Sequence, residues 1–354
     1  MKKAMIAMSG GVDSAVSALL TVEAGYEAVG VTLNLCHKKD AACGTLRDVE
    51  DARKIAEKLG IEHTVLDYTD DFRTEVIGNF IHSYETGETP NPCIVCNEKM
   101  KFGRLLSHAT ACGCDTLVTG HYARVVYDAE HDRYLLKKAV SAAKDQSYVL
   151  YFLSQAALSH LSFPLGEFSS KDEVRARAAA AGLVNAKKHD SQDICFIPGG
   201  DYVFFIKEET GKTYPCGDFV DKDGRILGRH KGQISYTIGQ RKGLGVALGH
   251  PVYVSAKDAE KNTVTLSDEA ALYRDTCFLR HVRFSYLPEI DTPLRLSVKP
   301  RYKAAEAPAT VYPPDADGYV RVVFDEPQRA LTPGQAAVFY DSDTVIGGGI
   351  ITKT

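Results

Sequence analysis

Ser9-Gly10-Gly11-Val12-Asp13-Ser14 stands between a short apolar run, Lys3 to Met8, and a helical pattern from Asp13 to Ala24. Adjacent glycines let a ligand approach the backbone closely, and a helix N-terminus offers N–H groups with no intrahelical partner to an anion. Ser9 and Ser14 add hydroxyl donors, and such a nest suits a pyrophosphate. Two glycines alone read equally as a turn with Asp13 or Ser14 capping the helix. Placed directly behind an N-terminal strand, the full string points to nucleotide binding.

Outward from this loop the first half alternates strand and helix patterns. Ala28 to Leu33 and Glu62 to Leu66 read as strands, and Thr116 to Thr119 as another. Leu46, Val49, Ala52, Ile55, Ala56 and Leu59 recur at helical spacing, while Phe72 to Tyr84 and Asn97 to Ala111 also read as helices. Alternation of this kind predicts βαβ units and a parallel sheet with helices on both faces. Ser170-Lys171-Asp172-Glu173 is a capping box opening a further helix. Beyond residue 200 the texture changes to short β-rich runs: Val252 to Ser255, Thr263 to Leu266, Leu294 to Val298, Ala309 to Tyr312, Tyr319 to Phe324, Ala336 to Tyr340 and Val345 to Ile351. The expectation is an α/β nucleotide-binding domain over 1–199, a small central β-rich domain over 200–273 and a C-terminal β-barrel over 274–354.

The 354 residues carry a net charge of −4, so a nucleic-acid partner must be held by a local patch rather than by bulk charge. Arg225, Arg229, Lys231, Arg241 and Lys242 form one stretch without an acid. Arg280, Arg283, Arg295, Lys299, Arg301 and Lys303 form another, with Tyr286 and Tyr302 among them as stacking candidates. A solvated charged face is the alternative for both, and for Lys187-Lys188-His189 a helix-end cation cluster. No apolar stretch is long enough to span a membrane, and the brief run after Met1-Lys2-Lys3 is too short for a signal peptide, so a cytoplasmic protein is expected. Nine cysteines (36, 43, 93, 96, 112, 114, 195, 216, 277) then suggest thiol or metal chemistry more than disulfides.

Competing motifs fail on their spacing. Gly211-Lys212-Thr213 ends like a phosphate-binding P-loop, but Ile206 occupies its first glycine position. Gly243-Leu244-Gly245 lacks the third glycine, Leu248 standing there. Cys93-x2-Cys96 followed by Cys112-x-Cys114 imitates a zinc ribbon, yet the segment between is helical in pattern and the second pair has one spacer residue.

Six further strings accompany the glycine loop: Asn91-Pro92-Cys93-Ile94-Val95-Cys96-Asn97, Thr119-Gly120-His121-Tyr122, Lys144-Asp145-Gln146-Ser147-Tyr148, Asp193-Ile194-Cys195-Phe196-Ile197, Gly239-Gln240-Arg241-Lys242-Gly243-Leu244-Gly245 and Thr332-Pro333-Gly334-Gln335. The loop resembles the PP-loop of ATP pyrophosphatases, and the ordered set resembles the tRNA-specific 2-thiouridylases essentially from end to end. The resemblance implies ATP-dependent thiolation of the wobble uridine in the anticodon loop of tRNA, with Mg²⁺ as cofactor and a sulfur-donor protein or sulfide as a further partner. It implies an ATP site of Ala7, Met8, Ser9, Gly10, Gly11, Val12, Asp13, Ser14, Leu33 and Gly120. Asn91, Pro92 and Cys93 would meet the target base; His121, Lys144, Asp145, Gln146, Arg301, Tyr302 and Gln335 would touch tRNA.

The chemistry itself asks for two thiols. Replacing a uracil oxygen by sulfur needs a leaving group, which adenylation supplies, and a sulfur nucleophile, which a cysteine persulfide supplies. A second thiolate then splits the S–S bond. The resemblance makes Cys195 the persulfide carrier and Cys96 the second thiol. Cys96 precedes a helical pattern, where the dipole is expected to favour thiolate; Cys36, Cys43, Cys112, Cys114, Cys216 and Cys277 read as small buried hydrophobes. Cys93 stands where many relatives carry Asp. Two readings stay open for it: an unligated thiol lining the base pocket, or, with Cys96 and Cys195, a ligand of three irons in a [4Fe–4S] cluster whose fourth iron holds hydrosulfide.

Overall fold

The computed structural model of the chain describes residues 2–36, 46–185, 194–197 and 199–352. Lys187-Lys188-His189 and Cys43 lie outside the described residues. A parallel sheet is built from β1 (Lys3–Ala7), β2 (Glu27–Asn34), β3 (Glu62–Asp67), β4 (Thr116–Val118) and, after the antiparallel hairpin β5 (Ala123–Asp128) and β6 (Arg133–Lys138), β7 (Leu161–Ser162). Its order is β3-β2-β1-β4-β7. The central strand β1 is buried on both faces, which explains its unbroken apolar run. Ala4 and Ile6 point into a cluster with α1 (Val12–Glu23), α2 (Leu46–Leu59) and the Lys171–Ala180 helix. Met5 points the other way, into a cluster with Ile94, Phe102, Leu105 and Ala109 of the helical run over 92–111. Burying one such chain as Ile6 stabilises the fold by roughly 2 kcal/mol. The predicted capping box forms in modified shape: Ser170 Oγ accepts from the Glu173 N–H at 3.2 Å, while Glu173 reaches back to the N–H of Ser169, one residue earlier.

The second half is β-rich as expected. β8 (Gly217–Val220), β9 (Ile226–His230), β10 (Tyr253–Asp258) and β11 (Thr263–Ser267) pair in the order β10-β11-β8-β9 around Phe219, Val254 and Val264. β12 (Tyr273–Phe284), β13 (Leu294–Lys299), β14 (Ala307–Pro314), β15 (Val320–Arg329), β16 (Ala336–Asp341) and β17 (Thr344–Ile351) form a six-stranded barrel, closed by pairing of β12 with β17.

The hairpin β5–β6 is not predicted by the sequence pattern and joins the two halves. Thr344 of β17 lies opposite Lys137 of β6, so the hairpin extends the barrel's sheet. Asp343 receives Arg124 at 2.8 Å and Lys137 at 3.1 Å. Beneath it, Ala336, Val338, Tyr340 and Val345 of the barrel share one apolar cluster with Met5, Leu117 and Tyr148.

A second junction bears on the site. Both terminal nitrogens of the Arg280 guanidinium on β12 donate to the buried Glu88 carboxylate, at 2.9 and 2.8 Å. The Thr89 N–H donates to the Pro333 carbonyl at 2.9 Å, and Gln335 Nε2 donates to the Thr89 carbonyl at 2.7 Å. Gly334 has φ +89°, and a Cβ there would lie 2.8 Å from the Thr89 nitrogen. The barrel thus grips the two residues that lead into Asn91-Pro92-Cys93. Arg280→Met strands a buried carboxylate and is expected to cost about 3 kcal/mol in denaturant unfolding. Glu88→Gln placed on that background is expected to recover part of the loss.

Candidate active site

The sheet order reverses between β1 and β4, and the crevice beyond the carboxyl ends of these strands is where open α/β sheets bind ligands. The glycine loop lies there. Met8 is fixed by its N–H donating to Val31 O at 2.8 Å and by Thr32 Oγ1 donating to Met8 O at 2.7 Å. Gly10 has φ +68°, and a Cβ on it would lie 2.3 Å from the carbonyl oxygen of Asp48 in α2. Gly11 caps α1 in extended conformation without a side-chain cap, leaving the first N–H groups of α1 to a ligand. Ser14 Oγ turns back to accept from the Ser9 N–H at 3.1 Å. Leu33 lies near the end of β2, and Gly120 follows β4; a Cβ on Gly120 would sit 3.0 Å from Asp13 C and Ser14 N, so only glycine packs against the loop this closely. All ten residues of the expected ATP site therefore share the ends of three neighbouring strands.

Asp13 is held from two sides. The Tyr122 hydroxyl donates to Oδ1 at 2.8 Å, and the ammonium of Lys171 lies 2.6 Å from Oδ2. Lys171 is buried, 8% exposed. Asn185 Nδ2 donates to Gly10 O at 3.1 Å, and its buried Oδ1 has no hydrogen-bond partner among the described residues. Sequence reasoning assigned no role to Tyr122, Lys171 or Asn185. A signal for Lys171 exists: it is the first residue of its helix, where the macrodipole opposes a cation.

The thiols converge on one apolar cluster. Cys36, Cys96 and Cys195 pack with Phe72, Phe80, Met100 and Phe196, and no disulfide joins two described cysteines. The helix carrying the Cys93-x2-Cys96 pair begins at Pro92, with Asn91 as N-cap accepting from the Cys93 N–H at 3.1 Å. The dipole expectation for Cys96 is corrected: Cys93 occupies the first turn, and Cys96 lies a turn further into a continuous helical run. Burial pushes the Cys96 thiol up to about 12, against a smaller opposing pull from Lys101. Cys93 is exposed at the rim, yet its crowded surroundings and Cys195 also push its thiol up. Among the other cysteines, Cys277 is buried in the barrel as expected, whereas Cys112 and Cys216 are exposed and Cys36 and Cys114 half-buried. The helix between Cys96 and Cys112 separates them by roughly 20 Å, which ends the zinc reading. Among the described residues no three of His, Cys, Asp and Glu stand close enough to hold a metal ion.

Several residues expected at tRNA also make contacts within the protein. His121 is buried between Phe102 and Phe163; Lys101 Nζ lies 3.4 Å from its Nε2, and Nδ1 is 2.6 Å from Thr119 Oγ1. An ammonium can only donate, so Nε2 accepts and the ring proton sits on Nδ1, as assigned from this network. Burial, then Lys101, holds the imidazole pKa well below its usual value. The Asp145 carboxylate accepts from the Ala139 N–H and from the N–H and hydroxyl of Ser147. Gln146 Oε1 accepts from the Tyr122 N–H at 2.9 Å, behind the nucleotide loop. Arg301 donates to Ala330 O and Thr332 Oγ1, and burial lowers its pKa. Lys144 is half-buried, and Gln335 is engaged with Thr89. Tyr302 is exposed, its hydroxyl 3.3 Å from Asp145 O and within electrostatic reach of Cys93. In the second basic stretch Arg280 and Arg295 are paired with Glu88 and Asp325, and Tyr286 is covered by Arg133. In the first stretch Arg225, Arg229, Lys231, Arg241 and Lys242 are all exposed.

No helix among the described residues is long and apolar enough to cross a membrane. Comparison with known families matches residues 2–199 to the tRNA methyl transferase HUP domain, 204–268 to the tRNA methyl transferase PRC-barrel domain and 274–351 to the Aminomethyltransferase beta-barrel domain. The chain is 49% identical over 357 residues to the tRNA-specific 2-thiouridylase MnmA of Acetivibrio thermocellus, covering 99% of both chains. It is 48% identical over 353 residues to that of Moorella thermoacetica, covering 98% of both. The corresponding protein of Clostridioides difficile is 45% identical over 358 residues, spanning all of this chain and 99% of its own. Identity near one residue in two, sustained across all three regions, places the chain in a single family: it belongs to the tRNA-specific 2-thiouridylases.

Proposed function

We propose that this enzyme, an ATP-using tRNA sulfurtransferase, converts the wobble uridine of tRNA to 2-thiouridine through a persulfide on Cys195. We assign nucleotide binding and both thiols to 1–199, and tRNA contacts to this region together with the central domain, 200–273, and the barrel, 274–354. The observation carrying the reading is the packing of Cys96 and Cys195 against one cluster at the carboxyl end of the sheet that also carries the nucleotide loop.

The N–H groups ahead of α1 bind the phosphates of ATP. Asp13 is a hard oxygen donor beside them, and one or two carboxylates completed by substrate phosphates is an ordinary set for Mg²⁺. Bound there, the ion would neutralise phosphate charge during adenylation, with Asp13 as its protein ligand. The uracil O2 attacks the α-phosphorus, the N3 proton is lost, and pyrophosphate leaves with the electron pair of the broken P–O bond. The terminal sulfur of the Cys195 persulfide then attacks C2 and displaces AMP. The Cys96 thiolate attacks the Cys195 sulfur, releasing 2-thiouridine and forming a Cys96–Cys195 disulfide. A donor protein supplies the persulfide sulfur, and an external thiol reduces the disulfide. Cys93 at the rim, next to Tyr302, faces the entering base. In the alternative reading Cys93, Cys96 and Cys195, which lie within electrostatic reach of one another, would hold a [4Fe–4S] cluster that supplies the sulfur in place of the persulfide.

The test is incubation with ATP, tRNA and a persulfide donor, followed by nucleoside analysis for 2-thiouridine. Gly10→Val forces a side chain into the Asp48 carbonyl at a positive φ and is expected to abolish AMP release. Normal release by that variant would place the nucleotide elsewhere.

The two thiols separate by variant. Cys195→Ser is expected to block sulfur loading while retaining tRNA binding; Cys96→Ser is expected to load sulfur and stall before release. Full 2-thiouridine yield from either variant overturns the assignment.

The raised Cys96 pKa makes its own prediction. A thiol with a pKa near 12 is protonated at neutral pH and becomes thiolate only as pH rises towards that value. In the tRNA-free enzyme, mass-mapped iodoacetamide labelling of Cys96 is expected to be slow at about pH 8 and still accelerating at about pH 10. A plateau below pH 9 would contradict the burial argument.

A further inference from the structure

We infer that Lys171 is a further catalytic residue of the nucleotide site: its ammonium binds the pyrophosphate half of ATP and stabilises that half as it leaves. This rests on the nucleotide reading of the glycine loop and deepens it.

Three observations carry the inference. First, Lys171 is held where a lysine is costly. It is 8% exposed, and it opens the Lys171–Ala180 helix, where the positive end of the macrodipole repels it. Packing alone would be served better by an apolar chain of similar volume. Second, its charge is delivered to one place. The Nζ atom lies 2.6 Å from Oδ2 of Asp13, the second residue of α1, beside the N–H groups that α1 leaves to a ligand. The ring of Tyr122, whose hydroxyl holds the other Asp13 oxygen, lies 5.8 Å from the same ammonium. Third, Asp13 alone would repel a triphosphate. A cation at contact distance offsets that carboxylate and is positioned to meet phosphate oxygens arriving at the loop.

The chemistry then follows. Adenylation breaks the bond between the α-phosphorus and the bridging oxygen, and the electron pair goes to that oxygen on the departing pyrophosphate. A fixed ammonium in a site of low dielectric stabilises this growing charge without reorganising, an effect worth about 10²–10³ in rate where single donors have been removed from comparable sites. Lysine suits the task as a compact point charge for phosphate.

The experiment compares wild type, Lys171→Met and Lys171→Gln for binding of ATP, AMP and inorganic pyrophosphate by calorimetry, with pyrophosphate release measured in the presence of tRNA. Expected are a loss of ATP and pyrophosphate affinity of about tenfold or more, AMP affinity within about twofold of wild type, and pyrophosphate release slowed about 10²-fold. Lys171→Arg is expected to recover part of both effects. Equal weakening of ATP and AMP would mean that Lys171 only props the loop, and undiminished pyrophosphate binding by both neutral variants would remove it from the site; either result overturns the inference. Gly10→Val is the control for the underlying reading. If that variant binds ATP as wild type does, the nucleotide site itself lies elsewhere. If it does not, and the Lys171 variants bind all three ligands normally, the inference alone falls.

Discussion

The Asp13 carboxylate is where distant parts of the first half meet. It belongs to α1, receives a hydroxyl from Tyr122 behind β4, and faces the ammonium of Lys171 on a helix that follows β7. Lys171 is 158 residues away in sequence and Tyr122 is 109 away, so the loop is positioned by tertiary structure rather than by its own glycines. Other features fall into place around this point. Gly120 must lack a side chain because the Asp13–Ser14 backbone passes directly over it. Gln146 steadies the Tyr122 backbone from behind. A buried ammonium facing a half-buried carboxylate is costly to desolvate and gives little net stability against an apolar pair, which accords with the phosphate role inferred for Lys171.

A different constraint governs the thiols. The proposed sulfur transfer asks for Cys96 as a nucleophile, but the apolar cluster around Phe72, Phe80 and Phe196 favours the neutral thiol. The barrel's grip on Glu88 and Thr89 fixes the entrance to this region. Gln335 and Arg301, expected to face tRNA, are largely consumed in such internal contacts. Arg225, Arg229, Lys231, Arg241 and Lys242, with Arg283, Tyr302 and Lys303, are exposed.

Legibility in the sequence followed the kind of interaction. Strands β1 to β4 and helices α1 and α2 were readable because each buries a periodic apolar face against one sheet. The hairpin β5–β6 was not, because Arg124, Lys137 and Lys138 give it the texture of a loop; its strand character comes from pairing and from carboxylates on the barrel such as Asp343. β8, β9 and β12 are not predicted by the sequence pattern; β12 buries only Cys277 and Leu279 fully and carries Arg274, Asp275, Arg280 and Arg283 along one long, irregular strand. The glycine loop was legible as a motif and the need for two thiols as a chemical requirement, while their assignment to Cys96 and Cys195 rests on the family resemblance. Lys171 was not, because its partner is set only by the fold.

One local feature lay beyond any reading at a period of 3.6. Over Asn97–Leu105 the helix widens to i→i+5 bonding. In an ordinary α-helix residue i+5 is rotated about 140° from residue i, whereas a turn of roughly 4.4 residues reduces this to about 50°. The widening therefore brings Lys101 to the side of the helix that carries Cys96, and Lys101 is the cation that opposes the burial of both Cys93 and Cys96. Gly103 fits the same distortion, since a Cβ there would lie 2.8 Å from the Glu98 carbonyl five residues earlier. His121, neutral and fixed by Thr119, then holds the ammonium from the far side without adding a competing charge. A helix that looks regular in sequence thus uses its irregular stretch to bring a positive charge towards the thiols, and the buried histidine contacts that lysine from the far side.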